Sequence, residues 1–205
     1  YRAQSQDLAE PFYCSDALLT IYANEAQTEA CRRSPLLVLT STIDISAGDE
    51  SIQLNPQTVR ITRALVGGQM LQVHAVDAMD EFHPGWQDAR VKAAPMCLVS
   101  GLATDELYMW PQPDAAYTMR LTAQCLPQVP LKNEGDQPEI REELHPALVD
   151  WILHRVYSQE DSQIFNPAKA QLHEDRFISE FGRKASGRNE EWLRAGQGLM
   201  PGPIA

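Results

Sequence analysis

Residues 105–121 read DELYMWPQPDAAYTMRL, and the way this stretch is taken decides the fold. Two apolar runs, ELYMW and YTMRL, are separated by Pro111, Pro113 and Asp114. Proline brings no N–H to a sheet ladder, and an aspartate side chain bonds backbone amides two residues on. PQPDAA therefore ends one strand and reverses the chain before the next. The stretch reads as a β-hairpin, with Tyr108, Trp110 and Tyr117 packing across paired strands at some tenths to ~1 kcal/mol per pair. On this reading Asp114 forms a turn and is not the acid of an active-site loop.

The same texture extends from 36 to 130. TSTIDIS and SIQLN read as short strands around the turn AGDE. TVRITRALV alternates Val59 and Ile61 inward against Arg60 and Thr62 outward. Gly67-Gly68 turns the chain into QMLQVHAV, DAMDEFHPGW reads as a short helix or turn, and PMCLVSGL completes six or seven short strands.

Helical periods flank this region. Ser15 is an N-cap before DALLTIYANEAQTEACRR, with Asp16 at the positive end of the helix dipole and Arg32 and Arg33 at the negative end; Ser34-Pro35 stops the helix. His145-Pro146 opens ALVDWILHRVYSQE, whose apolar face (Leu148, Trp151, Ile152, Val156, widened by Val149 and Leu153) is broad enough to meet more than one neighbour. Asn166-Pro167 opens a third helix, and Gly182 ends it. The predicted fold class is α+β. A helical bundle (1–35 and 140–182) of the N-terminal helix plus two C-terminal helices carries an inserted small antiparallel β lobe (36–130). A linker (131–139) and an extended C-terminal tail (183–205) complete the chain.

Composition is that of an ordinary globular protein, 43% hydrophobic and 22% charged, and no apolar run approaches the ~18 residues of a membrane span. The opening YRAQSQDLAEPFY shows no charged start followed by an apolar block, so no secretory leader is expected in it. Cys14, Cys31, Cys97 and Cys125 form no CxxC pair and are expected as free, buried thiols. A net charge of −11 argues against broad adhesion to phosphate backbones, though not against a protein that DNA passes through. The tail departs from this balance, with four bases (Arg183, Lys184, Arg188, Arg194) against two acids (Glu190, Glu191).

Motifs for catalysis are missing. Asp150 and His154, four apart, read as a helical pair rather than a metal site, with no HExxH or Cys/His cluster near them. Ser100 lies in VSGLA without a GxSxG elbow. Cys97 with His83 is formally a thiol–imidazole pair, but burial is the expected fate of that thiol. Gly67-Gly68 belongs to no phosphate loop. No cofactor or metal is implied, and no enzyme activity is expected.

Three segments in this order resemble the head-to-tail adaptor (connector) proteins of bacteriophages, including the tail tubular A-type adaptors of short-tailed phages. They are ALLTIYANEAQTEACRRSPLL (17–37), DELYMWPQPDAAYTMRL (105–121) and ELHPALVDWILHRVYSQEDSQIFNPAKAQLHEDRFISEFG (143–182). The resemblance implies a structural virion protein assembled in the host bacterial cytoplasm. It implies a ring, dodecameric, between portal and downstream tail or nozzle protein, through which genomic double-stranded DNA passes without sequence-specific binding or contact with a membrane. A tail-tube component, or an accessory enzyme or regulator on the same helices, are the alternatives. The family carries no catalytic residues. Its C-terminal extension docks on the portal or a neighbouring subunit, which assigns that role here to 183–205. The expected anchors are Trp192, Leu193, Leu199 and Met200, with Arg188 and Arg194 supplying charge.

Overall fold

The computed structural model describes residues 1–5, 7–88, 91–133, 135–160 and 162–184. In chain order the first elements are α1 (Arg2–Ser5), α2 (Asp16–Arg33), β1 (Val38–Ile45), β2 (Ser51–Gln53), β3 (Thr58–Val66), β4 (Gln69–Ala75) and α3 (Val76–Phe82). There follow β5 (Cys97–Ser100), β6 (Glu106–Trp110), β7 (Tyr117–Cys125), a 3-10 turn (Glu142–Leu144), α4 (His145–Tyr157) and α5 (Pro167–Phe181). Two compact units result: a helical one from Tyr1–Leu37 with Leu126–Lys184, and a sheet unit from 38 to 125.

Local chemistry accounts for the helices. The Ser15 hydroxyl accepts from the Leu18 amide and the Asn166 side chain from the Lys169 amide, each satisfying a donor the first helical turn leaves open. Gly182, at φ 86°, ends α5 in a conformation that costs other residues a steric penalty. The broad apolar face of α4 is used on both sides, against α2 and α5. One core holds Ala26, Ala30 and Cys31 of α2 with Ile140, Leu148, Phe177 and Phe181. Phe177 and Phe181 sit 4.6 Å apart, and Trp151 lies 5.1 Å from Phe177. The segment ahead of α2 is tied down by Asp7, only 2% exposed, which accepts from the amides of Tyr13 (3.0 Å) and Cys14 (3.3 Å) and from Arg2 (3.2 Å).

The sheet unit overturns the expected fold class. In place of a small antiparallel lobe on a helical bundle there is a seven-stranded mixed sheet, ordered β1-β7-β3-β4-β5-β6-β2. The departure from an antiparallel pattern is β4–β5, which run parallel from Gln72↔Cys97 to Ala75↔Ser100. Parallel neighbours need a crossover of a dozen or more residues, usually helical, and residues 76–96 with α3 supply it. The sheet also curls until it nearly closes. β1 and β2 are its two edges, yet only 46–50 join them. Likewise β6 and β7 are second from opposite edges and only 111–116 join them. Such short links reach only if the edges approach each other, giving a barrel-like sheet around Ile45, Ile52, Ile61, Val66, Leu71, Leu98, Leu107, Met109, Met119 and Leu121.

Candidate functional site

The expected hairpin at 105–121 is not one. β6 pairs with β5 and β2, β7 with β1 and β3, and the two do not pair with each other. Turn chemistry reverses the chain identically whether the next strand lies beside the last or across a barrel, and here it lies across. Leu107 and Met109 point into the sheet core, while Tyr108 and Trp110 stand half-buried on the outer face of β6. Pro111 and Pro113 are buried, and the link is stitched to two other loops. The Pro113 carbonyl accepts from the Gly48 amide (2.8 Å); Gln112 donates to the Val91 carbonyl (3.1 Å) and accepts from the Ala93 amide (2.9 Å). The Asp114 carboxylate is taken up by the Tyr117 hydroxyl at 2.6 Å, a contact that raises the phenol above its ordinary pKa.

The titratable candidates are occupied by folding. Asp150 pairs with Nδ1 of His173 on α5 at 2.7 Å, correcting the expected pairing with His154, whose Nδ1 meets the Ala170 carbonyl at 3.0 Å. The neighbouring helix outcompetes the same-helix partner because it is packed alongside. His145 Nε2 meets the Ile140 carbonyl, and the Ser100 hydroxyl donates to the His74 carbonyl. Cys97 and His83 do line one small apolar cavity of about 350 Å³, with His74, Met79 and Phe82. Burial, however, pushes the Cys97 thiol up, its Sγ faces the Trp110 carbonyl at 3.7 Å, and the His83 ring stacks on Trp110 at 4.4 Å. A thiol held protonated is a poor nucleophile. All four cysteines are buried. Among the described residues no cluster of His, Cys, Asp or Glu is placed to hold a metal ion.

What the sheet unit offers instead is two outward faces of unlike chemistry. On the β7–β3 side, strand register sets Arg120 opposite Leu65, Arg63 opposite Thr122 and Arg60 opposite Gln124. Arg60, Arg63 and Arg120 are all exposed, and among the described residues none has a carboxylate within ion-pairing reach. Exposed or half-exposed threonines, Thr42, Thr62, Thr118 and Thr122, fill the spaces between them. On the β6–β2 side lies a cleft of about 830 Å³ walled by Trp86, Tyr108 and Trp110 and carrying Glu50, Asp88 and Lys92. Glu106 stands beside it on β6, bonded to Ser51 and Gln53 of β2. Sequence reading had Arg60 outward but missed this assembly, because strand order sets which side chains become neighbours.

A family model described as the SU10 adaptor protein matches residues 3–198. The chain belongs to the SU10 adaptor protein family. This agrees with the phage head-to-tail adaptor resemblance carried by 17–37, 105–121 and 143–182. SU10 adaptors are structural phage proteins and not an enzyme family, which makes the protein a component of the virion. A search of curated proteins finds no match. Among the described residues no helix is long and apolar enough to cross a membrane. The expected tail anchors Arg188, Trp192, Leu193, Arg194, Leu199 and Met200 lie outside the described residues. At the root of that segment the Lys184 ammonium reaches Glu29 on α2 at 3.3 Å.

Proposed function

We propose that the protein is a head-to-tail adaptor that assembles as a ring, dodecameric, between the portal and the downstream tail or nozzle protein, with genomic double-stranded DNA passing through its centre. The observation that carries this reading is the reach of the family match, which covers every helix and strand from α2 to α5 and continues to residue 198. That span takes in most of the segment 183–205, including Arg188, Trp192, Leu193 and Arg194. The tail is the portal- or neighbour-docking element. It has net basic charge on an acidic chain, and its apolar side chains are isolated beads among glycines and prolines, which suits a strap with a few anchors rather than a packed core.

The test is attachment to purified portal rings, followed by co-sedimentation and particle imaging. The full chain should appear as a discrete layer under the portal. A chain that stays monomeric and ignores portal rings overturns the adaptor-ring reading. Removal of 183–205 should abolish attachment and leave the circular dichroism and melting of the rest unchanged; undiminished attachment without the tail refutes the docking role.

A further inference from the structure

We infer that neighbouring copies of the chain join through the two unlike faces of the sheet unit. The arginine face of β3 and β7 on one copy meets the acidic, aromatic cleft beside β6 on the next. This rests on the ring reading and adds the surfaces to it.

Geometry comes first. The inner faces of β7 and β6 share one core through Met119, Leu121, Leu107 and Met109. In a nearly closed sheet, strands that share a core from opposite sides turn their outer faces away from each other. Arg120 therefore leaves one side of the barrel-like unit while Tyr108 and Trp110 leave another. A contact between two different patches on opposite sides is heterologous, so it repeats from copy to copy and closes into a ring where the rotation allows.

Chemistry then selects the pairing. Like against like would set Arg60, Arg63 and Arg120 against their own copies, a repulsive arrangement, so a two-fold contact through this face is disfavoured. A guanidinium finds favourable partners in carboxylates, which it meets in a bidentate fork, and in aromatic faces, on which it stacks. The cleft supplies both: Glu50 and Asp88 as acids, outnumbering the cation Lys92, and the half-buried Tyr108 and Trp110 as ring surfaces, while Trp86, 6% exposed, is too buried to offer a face. The Glu50 carboxylate accepts a neutral hydrogen bond from the Gln112 side chain (3.2 Å), and among the described residues neither Glu50 nor Asp88 forms an ion pair. The same acids repel a phosphate backbone, so cleft and arginine face complement each other better than both complement DNA.

The experiment uses the full chain, alone and on portal rings, with sedimentation velocity and native mass as readouts. One variant carries R60E, R63E and R120E; the other carries E50K and D88K. Each reversal alone should weaken self-association by more than ten-fold while the melting temperature holds. Mixing the two reversed chains should restore assembly, since native arginines then meet a native cleft and reversed residues meet their reversed complement. Normal assembly by either variant, or failure of the mixture to recover, overturns this contact and leaves the ring reading standing if wild-type rings form. A wild-type chain that forms no ring even on portals sinks the ring reading itself. If the triple reversal keeps the ring but loses retention of short duplex DNA, the arginine face belongs to DNA and the inference is wrong.

Discussion

The two units treat their charges in opposite ways. In the helical unit ionic side chains meet one another: Arg2 with Asp7 and Asp16, Arg155 with Glu25, and Arg32, Arg33 and Lys184 all on the 8%-exposed Glu29, while Asp150 is hydrogen-bonded to His173. In the sheet unit Arg60, Arg63 and Arg120 point outward and meet no carboxylate among the described residues. Internal pairing fixes how helices sit against each other. Outward charge does little for a monomer, since an exposed pair contributes only ~0–1 kcal/mol even when made. The helical unit uses its charges in folding, and in the proposed contact between copies the sheet unit's arginines are the ones left for association.

The hardest way to break the helical side is through its core. Phe177 is fully buried, in ring contact with Trp151 and Phe181. Phe177→Ala removes that ring and leaves a cavity, with an expected loss of about 4 kcal/mol in denaturant unfolding. A loss below about 1 kcal/mol would mean that the helices repack without it. Next comes the charge comparison itself. The Arg33 side chain is 4% exposed, pairs with Glu29 at 3.3 Å and lies about 5 Å over the rings of Trp151 and Phe177. Arg33→Ala strips one cation from a buried carboxylate and empties packed volume, with an expected cost of about 3 kcal/mol.

A smaller effect sharpens the picture at alkaline pH. Burial, with a minor contribution from Glu139, pushes the Cys31 thiol from 9.0 to about 12. The folded form therefore keeps its proton where the unfolded chain gives it up. Stability is unaffected below about pH 9 and falls as pH rises from there toward about 12. Urea midpoints across that window should decline, and Cys31→Ala should flatten the decline. A midpoint that rises with pH there would contradict the burial assignment. The other three thiols are pushed in the same direction, chiefly by burial, so some slope remains in the variant.

The helices were legible because their signals are local. Ser15, Asn166 and Gly182 act within a turn of their own positions, whatever the rest of the chain does. The sheet was not, because strand order is a property of distant partners. PQPDAA stops β6 and starts β7 whether they pair or face each other across a core, and α3, only 7 residues long, is too short a helix to announce that residues 76–96 are a crossover to a parallel strand. The arginine face was legible only in part. Strict alternation in VRITRALV puts Arg63 on the same side as Ile61, inward. The register shift between Ile61 and Arg63 turns Arg63 outward to join Arg60. A bulge adds one residue to one strand, and only its partner reveals it.

The smallest expected effect on folding is the most telling. Arg120→Ala removes an exposed side chain with no carboxylate partner among the described residues, so monomer stability should stay within about 0.5 kcal/mol of wild type. Set beside Arg33→Ala, it asks whether two arginines of one chain differ by the full gap between a buried, paired cation and an outward one. Equal losses would erase the contrast between the units. A neutral melt together with weakened self-association would fix it, because a residue that matters to assembly and not to the monomer has its partner on another molecule. Raised salt should act in the same direction on that association, as exposed charges are screened beyond about 10 Å at 0.1 M and about 3 Å at 1 M. The Arg33–Glu29 pair, whose side chains are 4% and 10% exposed, should respond far less to the same change.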